Sequence, residues 1–272
     1  MDALIFLLPS FVMCLVLAGI HCYLGLHVLR RGVIFIDLSL AQVASLGSSV
    51  ALLLHYEHNT TGSYFISLSF TFLAALYFAW GKKFEKYVSQ EVLIALVYAF
   101  ASSLVILVVN MMAHGAEHIK EILIGKILWV SWEEVIKTAI IYSAVAIIHY
   151  IFRKQILKST IEKKTNDQSL LWDFLFYALF GVVITSSVGV AGILLVFSFL
   201  VVPALISMQL ASSISRQMLI GWMIGIILCA VGMFTSYKLD LPAGAVLVVV
   251  FTLVPILTLP FFGLCRKKFL SE

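Results

Sequence analysis

Apolar residues in this chain run on in long blocks separated by short polar segments, with no alternation of strand type. Nine blocks stand out: residues 4–28, 33–54, 63–80, 91–112, 133–151, 170–187, 190–208, 217–236 and 243–264. A helix needs about 20 consecutive apolar residues to cross the hydrocarbon core, and the blocks are of about that length. The pattern predicts an all-α, polytopic membrane helix bundle of about nine transmembrane helices, with 1–272 as a single domain. The uncharged turn Ser186-Ser187-Val188-Gly189 predicts either a tight external connection between the sixth and seventh blocks or part of a re-entrant element. Gly192 to Arg216 carries no charge before Arg216, and Pro203 predicts a break or kink within it, since proline removes a backbone donor and disfavours helix at Val202. Beyond the proline the segment is small and weakly polar. It reads either as a docking surface for a partner or as a kinked span followed by a loop.

Composition agrees with the pattern. Of the 272 residues, 62% are hydrophobic and 12% charged, with a mean hydropathy of +1.09, whereas soluble domains carry about 25% charge. Met1-Asp2-Ala3 lacks the positive region of a signal peptide, so the first block is expected to stay as a span. With the N-terminus outside, fourteen of the eighteen Lys and Arg residues fall on the inner side. Only Lys120, Lys126, Lys137 and Lys238 fall on or near the outer one. The positive-inside rule therefore orients the chain N-out and C-in. Trp129 and Trp132 then lie at the outer interface, with Trp80, Trp172 and Trp222 nearer the inner one. The basic residues serve topology, so nucleic acid is not an expected partner; membrane lipid is. Cys14, Cys22, Cys229 and Cys265 lie in or beside apolar runs without metal-site spacing and read as small apolar fillers.

Polar residues inside the blocks carry the candidate chemistry. Asp37 is the clear intramembrane acid, near the start of the second block. An acid near a span's centre costs about 2.5–3.5 kcal/mol on insertion scales, so Asp37 is expected to face a polar interior or to pair with Arg30 or Arg31. Gln42 lies about 140° around the helix from it, yet both could line one cavity. His21 and His27 sit on different faces of the first helix and read as packing residues or as ligands. Outside, His55 and His58 flank Glu57, while His114, Glu117 and His118 form His-x-x-Glu-His. Such mixed imidazole and carboxylate sets suit zinc, manganese or iron in transient contact, although exposed loops also simply collect polar residues. Asp240, two residues before Pro242, reads as a helix cap.

The His-x-x-Glu-His spacing also occurs in a zinc peptidase class, but that chemistry needs a third ligand and an enclosed site. No G-x-x-x-x-G-K-[ST] loop is present, so ATP hydrolysis would have to come from another chain and the protein is not expected to be an enzyme. Asn59-Thr60-Thr61 fits a glycosylation sequon.

Five stretches together resemble the permease subunits of metal-uptake ABC transporters. They are Val28 to Arg31 leading into Phe35 to Gly47; Gln90-Glu91-Val92; Leu123 to Ser131; Gly192 to Ala204; and Leu239 to Gly244. The resemblance implies a homodimer, or a heterodimer with a paralogue, in the bacterial plasma membrane. It also implies a cytoplasmic ATP-binding subunit and an extracytoplasmic metal-binding protein as partners. No permanent cofactor is implied; the metal ion is cargo. Residues 203–216 would be the coupling segment, with Pro203, Ala204, Ser207, Gln209, Ser212 and Arg216 meeting the ATPase.

One motif departs from the family. Its second span reads Gly-Asp-x-x-x-His, but here matching Asp37 to the acid puts Ala41 at the histidine, and matching Gln42 to the histidine puts Leu38 at the acid. The expected function is translocation of zinc, manganese or iron received from a binding protein. Candidate metal contacts are Asp37, Gln42, His21, His27, His55, His58, His114, Glu117 and His118. The rival expectations are a permease for a metal chelate, of siderophore or cobalamin type, and an ATPase-independent secondary transporter.

Overall fold

The computed structural model describes residues 2–57, 60–112, 115–161 and 167–269, with side chains over 6–57, 60–112, 115–161 and 170–258. His58, Asn59 and His114 lie outside the described residues. Ten α-helices follow in order: α1 (Asp2–Arg31), α2 (Ile36–Leu53), α3 (Thr61–Gly81), α4 (Gln90–Val109), α5 (Gly115–Ile124), α6 (Trp132–Ile151), α7 (Arg153–Ile161), α8 (Asp167–Leu210), α9 (Ile214–Leu239) and α10 (Ala243–Phe269). All nine apolar blocks fall on helices. Among the described residues seven helices are long and apolar enough to cross a membrane, and α8 carries two of the nine blocks. The described side chains of α10 give a shorter apolar stretch, Ala243–Thr258.

The ends of the helices follow from local chemistry. Gly32, at φ +73°, closes α1 after Arg30 and Arg31, and its N–H bonds the Val28 carbonyl at 3.1 Å. This is a glycine C-cap. Thr60 caps α3 by accepting from the Ser63 N–H at 3.3 Å. Ser131 and Glu134 form a reciprocal capping box at the start of α6. Asp240 is indeed a cap, but it closes α9 in a left-handed conformation (φ 52°) and does not open the helix that follows.

Two breaks expected along α8 are not where the sequence put them. The connection expected at Ser186–Gly189 is helical, and the break lies at Gly192, whose φ 73° and ψ 164° belong to glycine almost alone. Pro203 does not interrupt the helix, which continues to Leu210 with Pro203 buried inside it. Neighbouring helices hold the segment in place. Gly25 of α1 comes so close that a Cβ there would lie 2.1 Å from the Leu200 carbonyl oxygen, and Gly221 of α9 approaches the Pro203 carbonyl. Membrane helices tolerate proline where neighbours support the opened turn in this way.

Two helices were not among the apolar blocks. α5 is short, and α7 opens with Arg153 and Lys154. The centre of the bundle is α8, packed on α1, α2, α3, α9 and α10, with Phe176, Tyr177, Phe180 and Phe199 fully buried along it.

Candidate functional site: a polar path along α2

α2 is the most polar of the buried helices. Asp37, Ser39, Gln42, Ser45 and Ser49 are all buried on it, in a span with no basic residue. Asp37 is 1% exposed, and no side chain among the described residues bonds its carboxylate, which faces only the backbone N–H groups of Asp37 and Leu38. The pairing with Arg30 or Arg31 is absent. Arg30 donates to the Gln217 side chain, and Arg31 is bound to Asp173 with Nη1 2.6 Å from Oδ1. Asp37 stands in the first turn of α2, where the open N–H groups of a helix end favour a carboxylate. The Oγ atoms of Ser39 and Ser45 are also buried without partners among the described residues.

At the other end of this helix a cavity of about 560 Å³ opens, and Ser45 and Ser48 form part of its wall. Ser63 and Ser67 of α3, Thr138 of α6 and Thr185 of α8 also line it, giving a surface rich in hydroxyl groups. Glu121, Lys126, Glu133, Glu134 and Lys137 supply the charge. Charge counting places this end of the bundle outside. Ser45 is eight residues from Asp37, about 12 Å along the axis, with Gln42 between them. The arrangement suits a small hydrated cation: hydroxyls can replace water ligands one at a time, and a carboxylate waits deeper in.

The described histidines have the following surroundings. His21 Nδ1 donates to the Leu17 carbonyl at 2.7 Å, and its Nε2 is 3.2 Å from Ser187 Oγ. His27 Nδ1 is 2.9 Å from Thr160 Oγ1. Both rings are buried and hydrogen-bonded on the side of α1 that faces α7 and α8. His55 and Glu57 are exposed at the end of α2. The His-x-x-Glu-His stretch is not a uniformly exposed loop: Glu117 is exposed, but His118 is buried in α5 with Nε2 3.2 Å from Ser49 Oγ. Among the described residues no three His, Cys, Asp or Glu side chains stand together as a metal cluster.

Sequence reasoning missed Asp173. It is fully buried in α8, with Arg31 Nη1 and Lys82 Nζ each 2.6 Å from its oxygens and Ser159 also donating to it. Its signal was an acid between Trp172 and Phe174 in an apolar run, next to a basic inner flank. Of the residues expected to meet an ATPase, Pro203, Ala204 and Ser207 are buried in α8, whereas Gln209, Ser212 and Arg216 are exposed where α8 turns into α9.

The model of the ABC 3 transport family matches residues 3–261. A Haemophilus influenzae protein named "Probable iron transport system membrane protein" is 23% identical over 270 residues, covering 97% of this chain and 93% of that one. The manganese transport system membrane protein MntB of a Synechocystis strain is 26% identical over 154 residues, 54% of this chain and 50% of its own length. Among solved structures, PsaBC from Streptococcus pneumoniae in complex with Fab superposes with a TM-score of 0.76 at 18% identity, covering 92% of this chain and 91% of that one.

Proposed function

The chain belongs to the ABC 3 transport family, and from that premise we propose that it is the membrane subunit of an ATP-driven importer of a divalent transition metal ion: zinc, manganese or iron. Its partners in this reading are a cytoplasmic ATP-binding subunit, an extracytoplasmic metal-binding protein and a second permease, identical or paralogous, in a bacterial plasma membrane. The observation that carries the reading is Asp37, a carboxylate buried in a span without a side-chain or charged partner among the described residues. An intramembrane acid of this kind marks an ion pathway far more often than a packing site.

Mechanistically, the ion enters the hydroxyl-lined cavity, exchanges part of its water for Ser45 and Ser48, and passes Gln42 towards Asp37. Asp37 supplies the charge that offsets the remaining dehydration. Access from the two sides alternates as the ATP-binding subunits close against the exposed turn at Gln209, Ser212 and Arg216. A secondary transporter would couple through several acids in the membrane. The other acid buried among the described residues, Asp173, is bound by two cations and is unsuited to that task.

The test is uptake of radiolabelled zinc, manganese and iron into vesicles holding the chain with its ATP-binding subunit and loaded binding protein. Uptake of one ion is expected, and Asp37→Asn should lower it to background with assembly intact. Unit charges 4 Å apart interact by about 4 kcal/mol at an effective dielectric constant of 20, so losing the carboxylate's charge is a large effect for a divalent ion. ATP-dependent uptake of none of the three by an assembled complex would sink the metal reading in favour of a chelate.

The coupling turn gives a separate expectation. Arg216→Glu combined with Gln209→Ala should cut uptake several-fold and weaken co-purification of the ATP-binding subunit, while the chain's own melting temperature stays unchanged because both side chains are exposed. Unaltered co-purification would remove this turn from the interface.

A further inference from the structure

α5 closes one wall of the cavity, and its chemistry is not explained by packing alone. His118 and Glu121 stand three positions apart on it, so they share one helical face, and both line the cavity. His118 is tied to α2 through Ser49. Glu121 is tied to a residue just beyond its own helix: Lys126 Nζ lies 2.9 Å from its Oε1, and Lys126 lines the same cavity. The backbone fixes where this ammonium hangs. Gly125, at φ +72°, turns the chain sharply after α5, and the Lys126 N–H is anchored to the Val190 carbonyl at 2.8 Å.

We propose that His118 and Glu121 form an entry station for the divalent cation, and that the Lys126 ammonium is the station's resident counter-charge, displaced by the arriving ion. The inference rests on the reading of the chain as a metal importer. An imidazole and a carboxylate on one face supply two ligands of the kind that manganese, iron and zinc accept, and the cavity's water and serine hydroxyls fill the other positions. Two protein ligands hold an ion only loosely, as a relay requires if the ion is to move on.

Lys126 gives the station its selectivity. A tethered cation competes at high effective concentration, so sodium or potassium, carrying one charge like the ammonium, gains nothing by replacing it. A divalent ion gains a second charge and the imidazole. Displacement costs little, because the ion pair is half exposed, with side chains 48% and 40% accessible. The same exposure leaves Lys126 room to swing into solvent.

The test uses the purified full chain in lipid nanodiscs and manganese(II) alone, with free ion followed by its paramagnetic resonance signal. All variants carry Asp37→Asn, so that residual binding does not arise from α2. Lys126→Met is expected to tighten manganese binding about five-fold, the scale of an exposed ion pair, and to make sodium an effective competitor. Glu121→Gln and His118→Gln are each expected to weaken binding at least about ten-fold. Cobalt(II), whose visible absorption reports imidazole ligation, should lose intensity in His118→Gln. Manganese affinity unchanged in both Lys126→Met and Glu121→Gln overturns the station, as does an Asp37→Asn parent chain that binds no manganese. Because the binding needs neither ATP nor partners, intact binding here together with no uptake by an assembled complex that retains Asp37 would instead count against the importer reading alone.

Discussion

Asp173→Ala is expected to cost about 3–5 kcal/mol of stability, the range for breaking a buried charge pair, and to leave little folded protein in detergent. Asp173 is fully buried, and the side chains of Arg31 and Lys82 are 5% and 9% accessible. One carboxylate therefore serves as the shared counter-charge of two cations that have almost no water. Removing it strands both charges and also frees Ser159 on α7, so one substitution loosens contacts among α1, α7, α8 and the turn after α3. Asp173→Asn preserves the shape but not the charge and should fall between wild type and alanine. Removing all three charges together, Asp173→Leu with Arg31→Met and Lys82→Met, should recover much of the loss, since replacing a whole buried ion cluster by apolar groups is often neutral. Arg31 also stacks over the Phe176 ring at 4.2 Å, so the recovery will be incomplete. Thermal unfolding of the purified chain, read by tryptophan fluorescence, checks this order. A single alanine variant as stable as wild type would show that the cations find other partners.

Gly192→Ala should be comparably damaging for an unrelated reason. The backbone there has φ 73° and ψ 164°, a region that costs a residue with a Cβ about 1–3 kcal/mol. The new Cβ would also lie 2.4 Å from Gly125 N and 2.5 Å from Ile124 C, which are backbone atoms unable to rotate away. Overpacking adds about 1–3 kcal/mol. Gly125→Ala meets the reciprocal clash, with a Cβ 2.2 Å from Ala191 C. Gly19→Ala is the control: nothing lies within 4 Å of a Cβ there, and alanine in a helix interior stabilises by about 1 kcal/mol relative to glycine. Melting temperatures of the three variants should therefore shift down, down and slightly up. A Gly192→Ala protein that melts with wild type would mean the crossing relaxes at no cost.

The bundle was legible because a membrane imposes one length on every span, and an apolar block of that length can be read without any neighbour. Details set by neighbours were not legible. Pro203 reads as a break in isolation, and it stays helical because Gly25 and Gly221 let α1 and α9 pack close around it. Nothing in Ser186 to Gly192 states that the turn comes late; only the backbone of residues 124–126 crossing there makes Gly192 the position that must bend. Asp37 was visible as an oddity, yet that Arg31 goes to Asp173 and Arg30 to Gln217 instead could be read only from the packing of α7, α8 and α9 around them. His118 was grouped by spacing with His114 and Glu117. That the turn of α5 also brings it to Ser49 and to the face it shares with Glu121 was not visible in that spacing.

Gly125, Gly192 and Gly244 bring three separate segments together backbone against backbone; a Cβ on Gly244 would lie 2.5 Å from the Ile124 oxygen. With no side chain between them, the junction has no soft layer to absorb strain. It acts as a pivot bearing. α8 passes through this bearing as a bent lever, one arm ending at the exposed Gln209 and the other running along the cavity wall at Thr185 and Ser186. Any movement of one arm relative to the other therefore has to pass through the backbone contacts at Gly192.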